Sequence, residues 1–170
     1  AQACLPLLRR SQGRVINVSS MLGRMGYPIR SPYCISKFGV EALSDCLRYE
    51  MKRWGVRVCI LEPGNYIAGT SIFTTESVRA TAEAMWQQMP ADVKDDFGKE
   101  YFDGQVAKML VYVTKGDTDV TPVVHAVEDA LLTKTPLTRY IPASPYYWTR
   151  IQAATHLPTW AYEYFYRDIS

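Results

Sequence analysis

The order of apolar and polar residues along the first third of the chain predicts a strand followed by a long helix. Residues 14–20 (RVINVSS) form a β-branched run directly after Ser11-Gln12-Gly13, a turn signal, and predict the strand. Residues 31–54 carry apolar side chains at steps of three and four, which is typical of an amphipathic helix. These side chains are Ile35, Phe38, Ala42, Leu43, Cys46, Leu47, Met51 and Trp54.

The boundaries of the long helix carry signals of their own. Ser31 is expected to be the N-cap, with Pro32 at the first helical position, where its missing N–H does no harm. Gly55 is expected to end the helix. Residues 56–61 (VRVCIL) are apolar nearly throughout and predict a buried parallel strand, which Pro63-Gly64 closes. Strand, helix and strand together form one right-handed β-α-β unit.

Helical spacing dominates the rest of the chain. Residues 5–10 predict a short first helix, and three more helices are expected over residues 78–89, 102–113 and 121–131. Residues 138–141 predict one further short strand. The fold class that follows is α/β, with a mostly helical C-terminal region.

The last part of the chain is rich in aromatic residues. Nine Tyr, Trp and Phe residues lie between Tyr140 and Tyr166. Such rings suit positions with one apolar and one wet side, as in an interface, a pocket lid or a membrane surface. The other interpretation is that this segment packs its rings on its own core. A helix cannot turn three adjacent rings onto one face, so the triplets 146–148 and 164–166 are expected to leave some rings exposed.

Composition narrows the class of protein. With 48% hydrophobic and 21% charged residues, the chain is typical of a globular domain and not of a disordered one. The net charge of +2 comes without a dense basic run, so no nucleic-acid partner is expected. Four cysteines without a CxxC pair and only two histidines predict no metal site. No apolar stretch reaches the length of a membrane-spanning helix.

Three side chains near the first strand and the long helix have the chemistry of proton transfer. Tyr33 and Lys37 lie four residues apart and therefore project from the same face of the helix. A tyrosine exchanges protons near neutral pH only where a positive charge stabilises its phenolate, which an ammonium one turn away can do. Ser20 ends the preceding strand, at the sheet edge where ligands bind in open α/β folds, and can donate to a substrate oxygen.

Three features in this order and spacing resemble the second half of a short-chain dehydrogenase/reductase. They are the strand RVINVSS, Tyr33-Cys34-Ile35-Ser36-Lys37 thirteen residues after Ser20, and the strand VRVCILEPG. Within the family, Pro63-Gly64-Asn65 and residues 68–71 are similar to the branch of the hydroxybutyrate, retinol and 17β-hydroxysteroid dehydrogenases. The resemblance implies the C-terminal half of a doubly wound, Rossmann-like parallel sheet. We expect residues 1–143 to belong to the NAD(P)-binding domain and residues 144–170 to be its aromatic-rich C-terminal segment.

The resemblance also assigns roles. Tyr33 is implied as the acid/base, Lys37 as the residue that holds the nicotinamide ribose and supports Tyr33, and Ser20 as the group that orients the substrate oxygen. Pro63 and Gly64 are implied to contact the nicotinamide. The same contact is implied for the backbone near Tyr66 and Ile67. The cofactor implied is NAD, with NADP left open.

Two departures from the family pattern affect these expectations. The family usually has a threonine five residues after the proline of Pro-Gly; here that position is Ala68, and the threonine is Thr70. The Gly-rich dinucleotide turn and the asparagine of the proton relay have no counterpart, so we expect them upstream of Ala1. The 170 residues by themselves are therefore expected to be inactive.

Two classes of function remain open at this point. The first is an oxidoreductase acting on a small hydroxy acid such as 3-hydroxybutyrate, with a retinol or a steroid as the alternative substrate. The second is a fragment without activity that packs against full-length subunits through residues 31–54. The resemblance further implies a mitochondrial location, a homo-oligomer formed through residues 31–54, and contact with a phospholipid surface.

Overall fold

The computed structural model describes residues 2–166. The chain divides into two units, one formed by the segments before Asn65 and after Val120, and the other by Asn65–Val120. In chain order the helices are α1 (Leu5–Ser11), α2 (Ser31–Met51), α3 (Thr75–Gln88), α4 (Ala91–Thr114), α5 (Thr121–Leu132), α6 (Pro145–His156) and α7 (Thr159–Tyr166). Within residues 2–166, no helix combines the length and apolar character needed to cross a lipid bilayer.

The first unit is organised around a parallel three-stranded sheet. Its strands are β1 (Arg14–Val18), β2 (Arg57–Leu61) and β3 (Arg139–Tyr140), in the order β1-β2-β3. The register pairs Val15 with Val58 and Leu61 with Tyr140. The sequence predicted both longer strands and their parallel orientation. The predicted strand over residues 14–20 is two residues too long, because Ser20 caps a 3₁₀ turn (Met21–Gly23) that turns the chain away from the sheet.

Helices cover both faces of this sheet. On one face Leu47 and Met51 of α2 pack with Val58, and α1 adds Leu5 and Leu8. On the other face Cys59 and Leu61 pack against Ala130 of α5. Neighbouring residues of a strand point to opposite faces, so β2 contributes to two cores and is buried from Val58 onward. This arrangement confirms the expected doubly wound α/β fold.

The face that α2 turns to the sheet differs from the predicted one. Glu41 and Ser44 are buried, whereas Ile35, Phe38 and Leu43 are exposed. The buried polar groups have partners: Asn17 of β1 donates to the Ser44 hydroxyl at 2.8 Å, and Glu41 is in an ion pair described below. The apolar periodicity therefore predicted the helix correctly but assigned part of the buried face wrongly.

One end of α2 was predicted wrongly and the other correctly. The predicted cap is wrong: the helix begins at Ser31, and Arg30 occupies the N-cap position without a side-chain hydrogen bond that caps the helix. Pro32 still lies in the first turn, where its missing N–H costs nothing. A 3₁₀ turn (Lys52–Trp54) follows α2, and Gly55 at φ 69° ends it as predicted.

The second unit contains α3 and α4, which correspond to two of the predicted helices. Their contact includes Trp86 and Phe102, whose ring centroids are 5.2 Å apart. Thr74 and Ser77 form a reciprocal capping box at the start of α3. Gly98, at φ 74° and ψ 155°, interrupts α4 with a non-helical residue, a conformation that favours glycine.

Candidate active site

The chain segments that leave the three strands run side by side at the carboxyl edge of the sheet. The amide of Met21 donates to the carbonyl of Pro63 at 3.0 Å, and the amide of Gly64 donates to the carbonyl of Pro142 at 3.0 Å. Ser20 therefore lies next to the Pro63-Gly64 segment. Parallel α/β sheets bind ligands at this edge. The structure brings Ser20, Pro63 and Gly64, three of the residues predicted from the sequence, together there.

Ser19 and Ser20 use their hydroxyl groups differently. The Ser20 hydroxyl accepts a hydrogen bond from the amide of Leu22 at 3.2 Å, an interaction that leaves its own proton for another acceptor. The Ser19 hydroxyl donates to the backbone carbonyl of Lys37 at 3.4 Å. Ser19 thus joins the end of β1 to α2.

Lys37 connects Tyr33 with the end of β1. Its ammonium nitrogen lies 5.6 Å from the centroid of the Tyr33 ring and donates to the carbonyl of Val18 at 3.2 Å. An ammonium has three N–H groups, and this bond uses one of them. The Tyr33 side chain is 44% exposed, so its phenol is open to a ligand. Lys37 thus places a positive charge between the Tyr33 ring and the strand end that leads to Ser20.

Two glycines make the close packing at this edge possible. A Cβ atom on Gly23 would lie 2.5 Å from the Ser19 hydroxyl oxygen, and one on Gly64 would lie 3.0 Å from the Cβ of Ala143. Both distances are shorter than van der Waals contact, so a side chain at either position would push the segments apart. The sequence singled out Gly64 but not Gly23, because its isolated position in the loop gives no recognisable signal.

Tyr66 and Ile67 belong to the second unit. The amide of Ile67 donates to the side-chain oxygen of Asn65 at 3.2 Å, and the side-chain nitrogen of Asn65 donates to the carbonyl of Tyr112 at 3.3 Å. Burial raises the pKa of Tyr66, and the nearby negative charges of Asp117 and Asp119 raise it further. The two hydrogen bonds of the Asn65 side chain fix the start of the second unit.

A set of charged side chains that the sequence did not reveal lies beside the candidate site. We call it the Glu62 ion cluster: Arg24, Glu41, Asp45, Glu62 and Arg139. The Glu62 carboxylate is fully buried and lies 3.1 Å from the Arg24 guanidinium. Arg139 pairs with Glu41 and Glu62, and lies 2.8 Å from Asp45. These residues come from α2, β3 and two loops, so the cluster holds the carboxyl edge of the sheet to α2.

Burial favours the protonated form of Glu62. It raises the pKa of Glu62, the negative charge of Glu41 raises it further, and Arg24 and Arg139 act in the opposite direction. The four-residue spacing of Lys37 and Glu41 is that of an ordinary surface pair on a helix, but Glu41 is buried. Its partner Arg139 is 98 positions away along the chain, and sequence spacing carries no information about such a pair.

Other candidates from the sequence have no part in this site. His125 is exposed on α5. The four cysteines are free, and Cys34, next to Tyr33, is buried. Over residues 2–166 no three His, Cys, Asp or Glu side chains are grouped in a way that would hold a metal ion.

Comparison with known proteins extends the resemblance beyond these motifs. A rat protein named "D-beta-hydroxybutyrate dehydrogenase, mitochondrial" is 56% identical over 154 residues, which cover 91% of this chain and 45% of the relative. The bovine protein of the same name is 55% identical over 92% of this chain and 46% of the relative. A human "17-beta-hydroxysteroid dehydrogenase type 6" is 39% identical over 80% of this chain and 42% of the relative. The chain thus spans less than half the length of these relatives.

The fold and the family agree. The crystal structure of a short-chain dehydrogenase from Streptomyces avermitilis superposes with a TM-score of 0.63 at 21% identity, covering 99% of this chain and 55% of that one. At this identity the likeness concerns the fold alone. The family model described as "short chain dehydrogenase" matches residues 1–85, which include the β1-α2-β2 unit and Ser20, Tyr33 and Lys37. On this match the chain belongs to the short-chain dehydrogenase family.

Proposed function

We propose that the full-length protein is a nicotinamide-dependent dehydrogenase that interconverts D-3-hydroxybutyrate and acetoacetate. The observation that carries this proposal is the 56% identity, over 91% of the chain, to a relative named for that substrate. The arrangement of Ser20, Tyr33 and Lys37 supports it, because a proton donor, a positive charge and a hydroxyl lie at the ligand-binding edge of the sheet.

The three side chains have complementary roles in this proposal. Tyr33 takes the proton from the substrate hydroxyl during oxidation and returns it during reduction. Lys37 stabilises the phenolate of Tyr33 through its charge. Ser20 donates its free hydroxyl proton to the substrate oxygen and holds that oxygen toward Tyr33.

The residues present fit a nicotinamide cofactor, with NAD as our proposal and NADP as the other possibility. When bound, the cofactor supplies the hydride acceptor and donor. Lys37 has N–H groups left over from its bond to Val18, and these suit ribose hydroxyls. We assign the nicotinamide contacts to Pro63, Gly64 and Ile67.

The test is the activity of the full-length protein with Tyr33→Phe. We expect kcat for D-3-hydroxybutyrate to fall by about 10²–10⁴-fold, the usual contribution of a general acid/base. Tyr49→Phe is the matched control, because Tyr49 lies on the same helix and is 78% exposed. Unchanged turnover in Tyr33→Phe, with both variants folded, would overturn the assignment.

Retinol or a 17β-hydroxysteroid is the alternative substrate. Relatives with such names are 38–39% identical to the chain over 80% of its length, compared with 55–56% for the hydroxybutyrate enzymes. Steady-state rates with D-3-hydroxybutyrate, its L enantiomer and retinol separate the possibilities. A fragment without activity that packs against complete subunits would instead bind those subunits and add nothing to their turnover.

We also propose a mitochondrial location and two contacts outside the active site. Relatives named as mitochondrial support the location. The exposed rings of α6 and α7, among them Trp148, Trp160 and Phe165, support contact with a phospholipid surface. The exposed apolar side chains of α2 support a homo-oligomer through residues 31–54. Liposome co-sedimentation of Trp148→Ser, Trp160→Ser and Phe165→Ser tests the first contact. Sedimentation analysis of Ile35→Glu tests the second.

A further inference from the structure

Helix α6 carries an arginine that is buried among aromatic rings. Arg150 is 5% exposed, and its guanidinium carbon lies 4.9 Å from the Tyr166 ring centroid, 5.7 Å from that of Tyr146 and 6.0 Å from that of Tyr27. Its Nη2 donates to the Tyr162 hydroxyl at 3.3 Å. We call this set, Arg150 with Tyr27, Tyr146, Tyr162 and Tyr166, the Arg150 tyrosine cage.

The charge of Arg150 has no acidic partner in the part of the chain that the structure describes. The ion pairs of residues 2–166 do not include it. Its Nε is buried without a hydrogen-bond partner. A buried cation without a counter-charge costs several kcal/mol, and phenols and ring faces offset only part of that cost. An anion at this position would satisfy both the charge and the Nε donor.

The cage adjoins the candidate active site. Tyr27 lies in the loop that joins Ser20 to Tyr33. The Tyr162 hydroxyl also reaches the sulfur of Met25 in the same loop, at 3.7 Å. One turn before Arg150, the ring of Tyr147 lies 3.7 Å from where a Cβ on Gly64 would be. Helix α6 therefore packs against two segments that hold predicted site residues, and it presents Arg150 on that side.

We propose that Arg150 binds the carboxylate of an anionic hydroxy-acid substrate at the candidate active site. This proposal rests on the proposed function and deepens it, because it explains how a dehydrogenase would select a hydroxy acid over a neutral alcohol. The planar guanidinium offers paired N–H donors that match a carboxylate. The surrounding rings keep water away and strengthen that interaction. Retinol and steroids carry no such charge and leave Arg150 unsatisfied.

The experiment compares a charged substrate with its neutral counterpart in the full-length protein. D-3-Hydroxybutyrate and its methyl ester share the same carbinol and differ in charge. In Arg150→Gln we expect KM for the acid to rise at least about 10-fold, the effect of losing a hydrogen bond to a charged group. We expect kcat/KM for the ester to change less than about threefold. Arg150→Lys should be intermediate, and Arg79→Gln, an exposed arginine on α3, is the matched control.

A second measurement separates this proposal from the proposed function. Acetoacetate should raise the Tm of the wild-type protein more than methyl acetoacetate does, with NAD⁺ present so that no hydride can be transferred to the ketone. Arg150→Gln should remove that difference. If D-3-hydroxybutyrate is not oxidised but this difference is seen, the proposed function fails and the carboxylate site stands. Equal losses for acid and ester in Arg150→Gln, or no difference between the two ketones in the wild type, would overturn the site.

A carboxylate of the chain itself is the other candidate for the anion that compensates the charge of Arg150. Asp168 lies outside the described residues and is close in sequence to Tyr166. If Asp168→Asn lowers Tm in the wild-type background but not in Arg150→Gln, Asp168 is the counter-ion and the proposal is wrong. Equal Tm values for Asp168→Asn and wild type support a site that is open to substrate.

Discussion

Two arginines in the same unit of this protein, the partly buried Arg139 and the buried Arg150, have opposite surroundings. Arg139, in the Glu62 ion cluster, contacts three carboxylates. Arg150, in the tyrosine cage, contacts phenols and ring faces and has no carboxylate among the described residues. Because a buried charge must be compensated, the first arrangement is complete without a ligand and the second is not. Burial alone therefore does not identify a binding residue, whereas burial without a counter-charge points to one.

The Glu62 ion cluster and the tyrosine cage also differ in the elements that they join. The Glu62 ion cluster joins α2, β3 and the segment after β2, so its pairs contribute to the tertiary structure. The tyrosine cage joins α6 and α7 to the loop between Ser20 and Tyr33. The proposed chemistry is assigned to the residues at the two ends of this loop. We therefore expect substitutions in the first set to change stability and those in the second to change binding.

The largest effect is expected for Arg139→Met. The change leaves Glu62 and Glu41 buried without their shared cation, and we expect a loss of about 3–5 kcal/mol in the free energy of unfolding. Urea denaturation of the full-length variant measures it, with Arg79→Met as the control for removing an exposed arginine. A loss below about 1 kcal/mol would mean that the cluster does not hold the sheet edge to α2.

Arg150→Met is expected to change the free energy of unfolding in the opposite direction to Arg139→Met. Because the substitution removes a buried charge that has no acidic partner among the described residues, we expect the free energy of unfolding to rise by about 1 kcal/mol in the absence of substrate. The same denaturation series measures this change. A loss similar to that of Arg139→Met would show that the cage, like the ion cluster, is a structural ion site.

The Glu62 carboxyl gives a dependence on pH. Its pKa in the folded protein lies above the ordinary value of 4.5 because of burial, so the folded state holds this proton more tightly than the unfolded chain does. The contribution of this group to stability is thus fully present below its unfolded pKa and is lost as the pH rises through the folded pKa. We expect the Tm of Glu62→Gln, relative to wild type, to increase from pH 5 to pH 8. A difference that is constant or falls over this range would contradict the raised pKa.

The smallest effect is expected for Asp45→Asn. Its side chain is 41% exposed, and solvent screens its pairs with Arg139 and Arg48. We expect a loss of about 0.2–1 kcal/mol, typical of exposed ion pairs. Comparing Asp45→Asn in the wild-type and Arg139→Met backgrounds isolates the coupling. A coupling of several kcal/mol would place Asp45 among the buried members of the cluster.

The sequence alone determined the features that depend on short separations along the chain. Periodicity located α2, and a β-branched run and a continuous apolar run located the two longer strands. Gly55 ended the helical segment, and the four-residue spacing placed Tyr33 and Lys37 on one face. These features follow from local backbone geometry, which repeats every two residues in a strand and every 3.6 in a helix. The order of strand, helix and strand then led to the parallel sheet, because a helix that crosses over between two neighbouring strands lets both run in the same direction.

Tertiary structure decided which polar groups are buried and what surrounds them. Nothing in the sequence marked Glu41 as buried, yet Arg139 of β3 pairs with it. Arg150 is distinguished only by the groups that the fold brings around it, among them the rings of Tyr27 and Tyr166. The exposed apolar face of α2 and its buried Ser44 were set in the same way, by the sheet against which the helix packs. The physical reason is that burial and charge compensation depend on contacts between distant segments, and residue spacing along the chain does not encode them.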